Sequence, residues 1–170
     1  MALKFLPDAL RSDAAALAEL KDEVHKSLEL THPHIVRVHD LVADAEGAAI
    51  SMEYVDGPTL SQLRLRQPQS VFAPAVLAPW VEQLCAALAY AHREARLVHR
   101  DLKPANLMVN SRDKLKVTDF GIARSLHDSV SRLTGRRIAG TLAYMSPQQL
   151  QGEAPAFTDD IYSLGATLYE

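Results

Sequence analysis

A chain of 170 residues is long enough for one ordinary domain or for part of a larger one. An apolar fraction of 48% beside 23% charged residues excludes intrinsic disorder, and a net charge of −3 leaves no basic footprint for nucleic acid. The single cysteine, Cys85, excludes an internal disulfide and suits a reducing cytosol; no apolar run approaches the ~18 residues of a membrane span, and Pro7 and Asp8 interrupt any signal-peptide pattern.

Residues 1–6 read as a strand ending at Pro7. Across 13–30, Leu17, Leu20, Val24 and Leu28 recur at helical spacing, with Asp13 as N-cap. "IVRVHDL" (35–41) alternates as a strand does, "ADAEGA" turns, and "AISMEYV" is a second strand. Asp56-Gly57-Pro58 punctuates the chain, and Thr59 to Arg66 reads as a short helix. A long helix is expected over 75–95, with Leu77, Val81, Leu84, Leu88 and Ala91 as its apolar stripe. Proline inside a helix costs roughly 3 kcal/mol, so this helix is expected to start near Pro79 or to kink there. Two short strand pairs follow, then a loop from Asp119 to Gln148, then a last helix from about Thr158. No internal repeat or low-complexity tract appears.

The densest chemistry lies in His99-Arg100-Asp101-Leu102-Lys103-Pro104-Ala105-Asn106, followed by Asp119-Phe120-Gly121. Asp101 can accept or orient a hydroxyl proton. Lys103 can reach a transferring phosphate. Asn106 and Asp119 can hold Mg²⁺ through oxygen, which a hard cation prefers. Each residue has a plainer reading: a turn residue after Pro104 for Asn106, a cap for Asp101, a solvated lysine for Lys103. His32-x-His34 could suggest a metal, but no third ligand stands at a telling spacing.

Both blocks, in this order, resemble the protein-kinase superfamily, and the likeness runs along almost the whole chain. "HRDLKPAN" is similar to the family's H-R-D-L-K-P-x-N in its Ser/Thr form, and "GTLAYMSPQQL" resembles the activation-segment end of bacterial, eukaryotic-like Ser/Thr kinases. Ala2-Leu3-Lys4 resembles the end of V-A-I-K, and "EVHKSLELTHPHIV" places Glu23 where the helix-C glutamate precedes H-P-x-I-V. The resemblance implies an α+β, two-lobed protein-kinase-like fold truncated at both ends. Residues 1–55 would be a partial N-terminal lobe, with a hinge at about 53–57. Residues 58–170 would be a partial C-terminal lobe, with catalytic loop 99–106 and activation segment 119–148.

It further implies ATP and Mg²⁺ as cofactors and a protein substrate with a Ser/Thr acceptor. Lys4 and Glu23 would form the ion pair that holds the α- and β-phosphates, although Glu23 could also be one of several helix carboxylates with Glu19 and Asp22. Met52 would be the gatekeeper, with Glu53 to Val55 facing adenine and Met108 among the ATP-binding residues. His99 would back the loop against Asp160, and Phe120 would pack under helix C. Arg100 implies regulation by phosphate on the loop, at Ser125, Ser129, Ser131 or, by preference, Thr134; Thr141 would be a structural contact to the catalytic loop.

Three departures qualify the resemblance. No glycine-rich loop precedes Lys4, and the last helix ends at Glu170, so about 80–100 residues of an ordinary kinase domain are expected to lie elsewhere. Met1-Ala2-Leu3-Lys4 stands where the family has Val-Ala-Ile-Lys, which suggests a GTG valine codon read as a start. The family's A-P-E appears as Ser146-Pro147-Gln148, and a compensating change in its arginine partner is expected. The leading expectation is therefore a Ser/Thr kinase catalytic fragment of a cytoplasmic protein. The alternative is a pseudokinase or regulatory ATP-binding module. A small-molecule kinase is disfavoured by the activation segment. A membrane tether would lie only outside this chain, a kinase dimer is allowed, and the isolated chain is expected to express poorly.

Overall fold

The computed structural model describes residues 1–7, 14–43, 47–120 and 142–170. In chain order the elements are β1 (Ala2–Phe5), α1 (Ala14–Leu28), β2 (Val38–Ala43), β3 (Ala48–Met52), α2 (Leu60–Arg64) and α3 (Pro74–Arg93). Then come β4 (Leu107–Val109), β5 (Leu115–Val117), α4 (Pro147–Gln151) and α5 (Phe157–Tyr169).

The first sheet is antiparallel, in the order β1-β3-β2. Residues directly opposite each other share a face, so Lys4, opposite Ile50, lies on the inner side while Leu3 and Phe5 are exposed. Leu20 and Val24 of α1 pack on that inner side with Leu6, Val38, Ala48 and Ile50, which form a first apolar cluster. The second, larger cluster centres on α3. Trp80, Leu84, Ala87, Leu88 and Ala91 pack against Leu102, Leu107, Leu115, Val117 and Phe120. Leu30 and Ile35, which follow α1, join this second cluster rather than the first.

Several boundaries differ from expectation. The long helix does not start at Pro79. It begins at Pro74 and carries Pro79 in its second turn, on an exposed face where the Ala75 carbonyl, to which Pro79 has no N–H to offer, can meet water. The strand expected from Ile35 begins at Val38. Its first residues pair with β5 instead: Val36 N–H donates to Val117 C=O (2.8 Å) and Val117 N–H to His34 C=O (2.9 Å). Of the two strand pairs expected beside the catalytic loop, one forms as a ladder, β4 with β5; the other contacts are single bridges, Ile35 with Val117 and Thr59 with Met108. Between Asp119 and Gln148 the described residues include a 3₁₀ turn, Leu142–Tyr144, and the start of α4.

The two clusters meet at the 53–57 segment. Val109 N–H donates to Pro58 C=O (3.0 Å), which brings the chain after Gly57 against β4. A Cβ on Gly57 would lie 1.9 Å from Val109 O, so only glycine permits this approach. Thr59 then starts α2 with a capping box: its Oγ1 accepts from Gln62 N–H (3.2 Å) and its own N–H donates to Gln62 Oε1 (2.9 Å).

Candidate active site

The 99–106 loop, the expected catalytic loop, is held from below by one buried carboxylate. Asp160, fully buried near the start of α5, accepts from His99 N–H (2.8 Å), Arg100 N–H (2.9 Å) and His92 Nε2 (2.7 Å). Three donors offset the cost of burying this charge. The expectation for His99 and Asp160 thus takes a specific form, in which the backbone amides rather than the imidazole meet the aspartate. The His99 ring lies between Thr118 C=O, 2.8 Å from Nε2, and Asp101 N–H, which donates to Nδ1 at 3.2 Å. A carbonyl only accepts and an amide N–H only donates, so the ring is the Nε2–H tautomer. Phe120 packs edge-on to the His99 ring at 4.6 Å, and its carbonyl accepts from Ser27 Oγ of α1 at 2.9 Å.

Above this base, Asp101 is fixed in position. Lys103 Nζ lies 2.9 and 2.8 Å from its two carboxylate oxygens, and Asn106 Nδ2 donates to its Oδ2 (2.9 Å) and its backbone oxygen (2.8 Å). With its amide nitrogen spent there, Asn106 keeps its Oδ1 as an oxygen donor. Thr118 N–H donates to Asn106 C=O (2.9 Å) and draws the Asp119 segment alongside. Arg100 and Asp119 are both left-handed, at φ 68° and 63°. Non-glycine residues held there cost about 1–3 kcal/mol each, and such strain clusters at functional sites.

The ion pairs correct one expectation. Lys4 Nζ lies 2.7 Å from Asp119 Oδ1, and Arg100 Nη1 lies 3.2 Å from Glu23 Oε1. The expected Lys4–Glu23 pair is therefore replaced by two pairs that cross between the sheet lobe and the catalytic loop. The reason is proximity: the left-handed turns at Arg100 and Asp119 carry a guanidinium to α1 and a carboxylate to β1, so each charge is neutralised locally. Arg100 Nε is buried and unpartnered among the described residues.

At the segment expected to be the hinge, Met52 ends β3 and packs against the first cluster, while Val55 is buried. Glu53 N–H donates to Arg37 C=O (2.8 Å), whereas Glu53 C=O and Val55 N–H carry no hydrogen bond among the described residues. Met108 sits half-buried on β4, opposite Lys116. Thr134, Thr141, Ser125, Ser129 and Ser131 lie outside the described residues. Gln148 is exposed; its neighbour Gln149 is the buried residue, and its Nε2 donates to Arg100 C=O (3.0 Å). The histidine pair His32 and His34 gathers no third metal ligand among the described residues.

Sequence reasoning missed four of these participants. His92 carries a hint, as a histidine in the last turn of the helix before the loop. Ser27, Gln149 and Lys116 carry none, because each acts through contacts distant in sequence.

Among the described residues, a small sheet packed by α1 precedes a mainly helical part, and the Asp101 loop and the Asp119 segment lie side by side. A model of the protein kinase domain matches residues 1–170. The whole chain is 37% identical to serine/threonine-protein kinase PknB of Mycobacterium leprae and 40% identical to serine/threonine-protein kinase PkaA of Streptomyces coelicolor. It spans 28% and 31% of the length of those two proteins. A crystal structure of the Mycobacterium tuberculosis PknI kinase domain superposes with a TM-score of 0.75 at 30% identity, over 98% of this chain and 60% of that one. The chain belongs to the protein kinase domain family.

Proposed function

We propose that this chain carries the phosphoryl-transfer centre of a Ser/Thr protein kinase, moving the γ-phosphoryl group of ATP to a protein hydroxyl. The observation that carries this reading is the fixed Asp101 carboxylate, held by Lys103 and Asn106 beside the Asp119 segment. The acceptor oxygen forms the new bond to phosphorus, the bond to the bridging β–γ oxygen breaks, and the hydroxyl proton passes to Asp101. Lys103 is placed to move between Asp101 and the phosphoryl group as charge shifts.

Asn106 Oδ1 and the Asp119 carboxylate are hard oxygen donors and suit Mg²⁺, which keeps waters and phosphate oxygens as its other ligands. When bound, the ion supplies charge neutralisation for the phosphates. The open Glu53 C=O and Val55 N–H offer an acceptor and a donor to the adenine edge, with Met52, Val55 and Met108 as apolar surroundings. Lys4 would exchange Asp119 for the phosphates. Arg100, with its unpartnered Nε, is the natural receiver of a phosphate on Thr134.

The test is label transfer from γ-labelled Mg·ATP to protein serine or threonine, with Asp101→Asn as the blank. Label in the wild type and none in the variant supports the reading. One observation favours a second reading. The Lys4–Asp119 and Arg100–Glu23 pairs occupy four of the groups that transfer needs, as in a nucleotide-binding module without transfer. ATP binding with no label in either protein would select it. We place the chain in the cytoplasm, where its exposed free Cys85 would stay reduced; a tether outside these residues and a kinase dimer remain compatible.

A further inference from the structure

The hinge is gripped from behind by the strand that leads to the metal carboxylate. Glu53 Oε1 lies 2.7 Å from Lys116 Nζ, and Glu53 Oε2 accepts from Arg37 N–H at 3.2 Å. These bonds hold both carboxylate oxygens of Glu53, while its carbonyl carries no hydrogen bond among the described residues. Lys116 itself is rigidly placed. It stands between Leu115 and Val117, both fully buried, in the register position opposite Met108. Three residues further on is Asp119. The pair is shielded, with side-chain exposures of 13% for Lys116 and 33% for Glu53, so solvent screens it less than an ordinary surface ion pair.

We propose that Lys116 is a positioning residue for the nucleotide: through Glu53 it fixes the hinge edge that meets adenine, and through β5 it sets that edge at a constant distance from Asp119. This rests on the hinge reading given above. Without the ammonium, the Glu53 carboxylate keeps Arg37 N–H alone and turns towards water, and the free carbonyl and amide of 53–55 lose their fixed direction. Pre-organised edges bind more tightly because less order is lost on binding. Among the described residues, Lys116 pairs with Glu53 and lies near enough to His32 to act on its charge. Lys116 touches none of the reacting atoms.

A purely structural ion pair would weaken every ligand, or only lower the melting temperature. The proposed role weakens the adenine end alone. The test uses Lys116→Met, which keeps the apolar stem, Lys116→Arg, which restores the charge, and Glu53→Gln, which removes the other end. Binding of adenosine, Mg·ATP and Mg·tripolyphosphate is followed by ligand-observed NMR, with the melting temperature read in parallel. Lys116→Met and Glu53→Gln are expected to weaken adenosine and Mg·ATP about fivefold, with Mg·tripolyphosphate unchanged. Lys116→Arg is expected to recover most of the loss, and the double variant to lose no more than either single one. Unchanged adenosine binding, or equal weakening of tripolyphosphate, would overturn the proposal. Wild-type protein that binds Mg·tripolyphosphate but not adenosine would overturn the hinge reading and this proposal together.

Discussion

The buried Asp101 carboxylate takes its hydrogen-bond donors among the described residues from its own loop, Lys103 and Asn106. Lys103 and Asn106 hold it from both sides, so replacement by asparagine should leave nucleotide binding in place and remove proton acceptance. The expected loss in transfer rate is on the order of 10²–10⁴, measured as label incorporated from γ-labelled Mg·ATP at saturating nucleotide. These residues were legible in the sequence because a catalytic loop binds itself together over five or six positions. Arg100 and Glu23 were individually legible, yet their mutual pair was not, because it depends on a left-handed backbone at Arg100 that side-chain identity does not signal. His32 offers a pH test. Burial first, then the nearby His34 and Lys116, hold its pKa below the ordinary 6.5. Its ring stacks on Tyr90 at 5.1 Å, and its Nδ1 accepts from His34 N–H at 3.2 Å. In the unfolded chain His32 gains its proton near the ordinary value; in the folded chain it resists until a lower pH. The unfolded state therefore binds more protons in that window, and stability falls as pH drops below about 6.5 until the folded value is passed. His32→Asn should lose less stability than the wild type between pH 7.5 and 5, read from urea midpoints at both pH values.

Elements were most legible where one periodicity ran without interruption and least where two parts of the chain share a strand. The apolar spacing of α1 and α3 located both helices, and the burial of Leu84, Leu88 and Ala91 follows from it. The start of β2 was misjudged because residues 34–36 are claimed by β5, a partner some 80 positions away. The helix start was placed too late, near Pro79, for a different reason. The cost of the proline is real, but the second turn of a helix on an exposed face loses only one internal bond there, and tertiary packing of Trp80 and Leu84 holds the rest. Pro79→Ala should restore a donor to the Ala75 carbonyl and raise the unfolding free energy by roughly 1–3 kcal/mol, less the entropy that proline removes from the unfolded chain. Gly57→Ala should act in the opposite sense. The added Cβ meets a backbone oxygen, which cannot rotate away, so the Pro58–Val109 bond must open. A loss of about 1–3 kcal/mol is expected in chemical denaturation, with the change concentrated at the junction of the two clusters. The same junction is buttressed on its outer side, where Ser111 Oγ donates to Asp56 at 2.6 Å and keeps that carboxyl below its ordinary pKa.

At the scale of the molecule, each cluster has its own apolar core, and polar groups that cross between them join the Asp101 loop and the Asp119 segment to the first 55 positions. Ser27 to Phe120, Lys4 to Asp119, Arg100 to Glu23 and Lys116 to Glu53 all join residues of the first 55 positions to the catalytic half. Long-range pairing of this kind leaves no local sequence signal, so the sequence named the parts of the site without their connections. It also could not say which face of α5 is covered. In the structure, Asp159, Asp160, Ser163 and Thr167 turn inwards, while Phe157, Ile161, Tyr162, Leu168 and Tyr169 are exposed, Ile161 at 57% and Tyr169 at 94%. The inward face of this helix thus carries polar residues beside Leu164, bound by Asp160 to the 99–106 loop and by Ser163 Oγ to Tyr144 C=O (2.7 Å). An apolar surface of this extent on one helix drives self-association when nothing lies over it. The chain alone should therefore bind a hydrophobic dye and elute above monomer mass at micromolar concentration. Ile161→Glu with Leu168→Glu should shift it to monomer, since acidic side chains favour solubility and both positions are exposed. Light scattering coupled to size-exclusion chromatography measures the change; an unaltered mass in the double variant would mean that association arises on another surface.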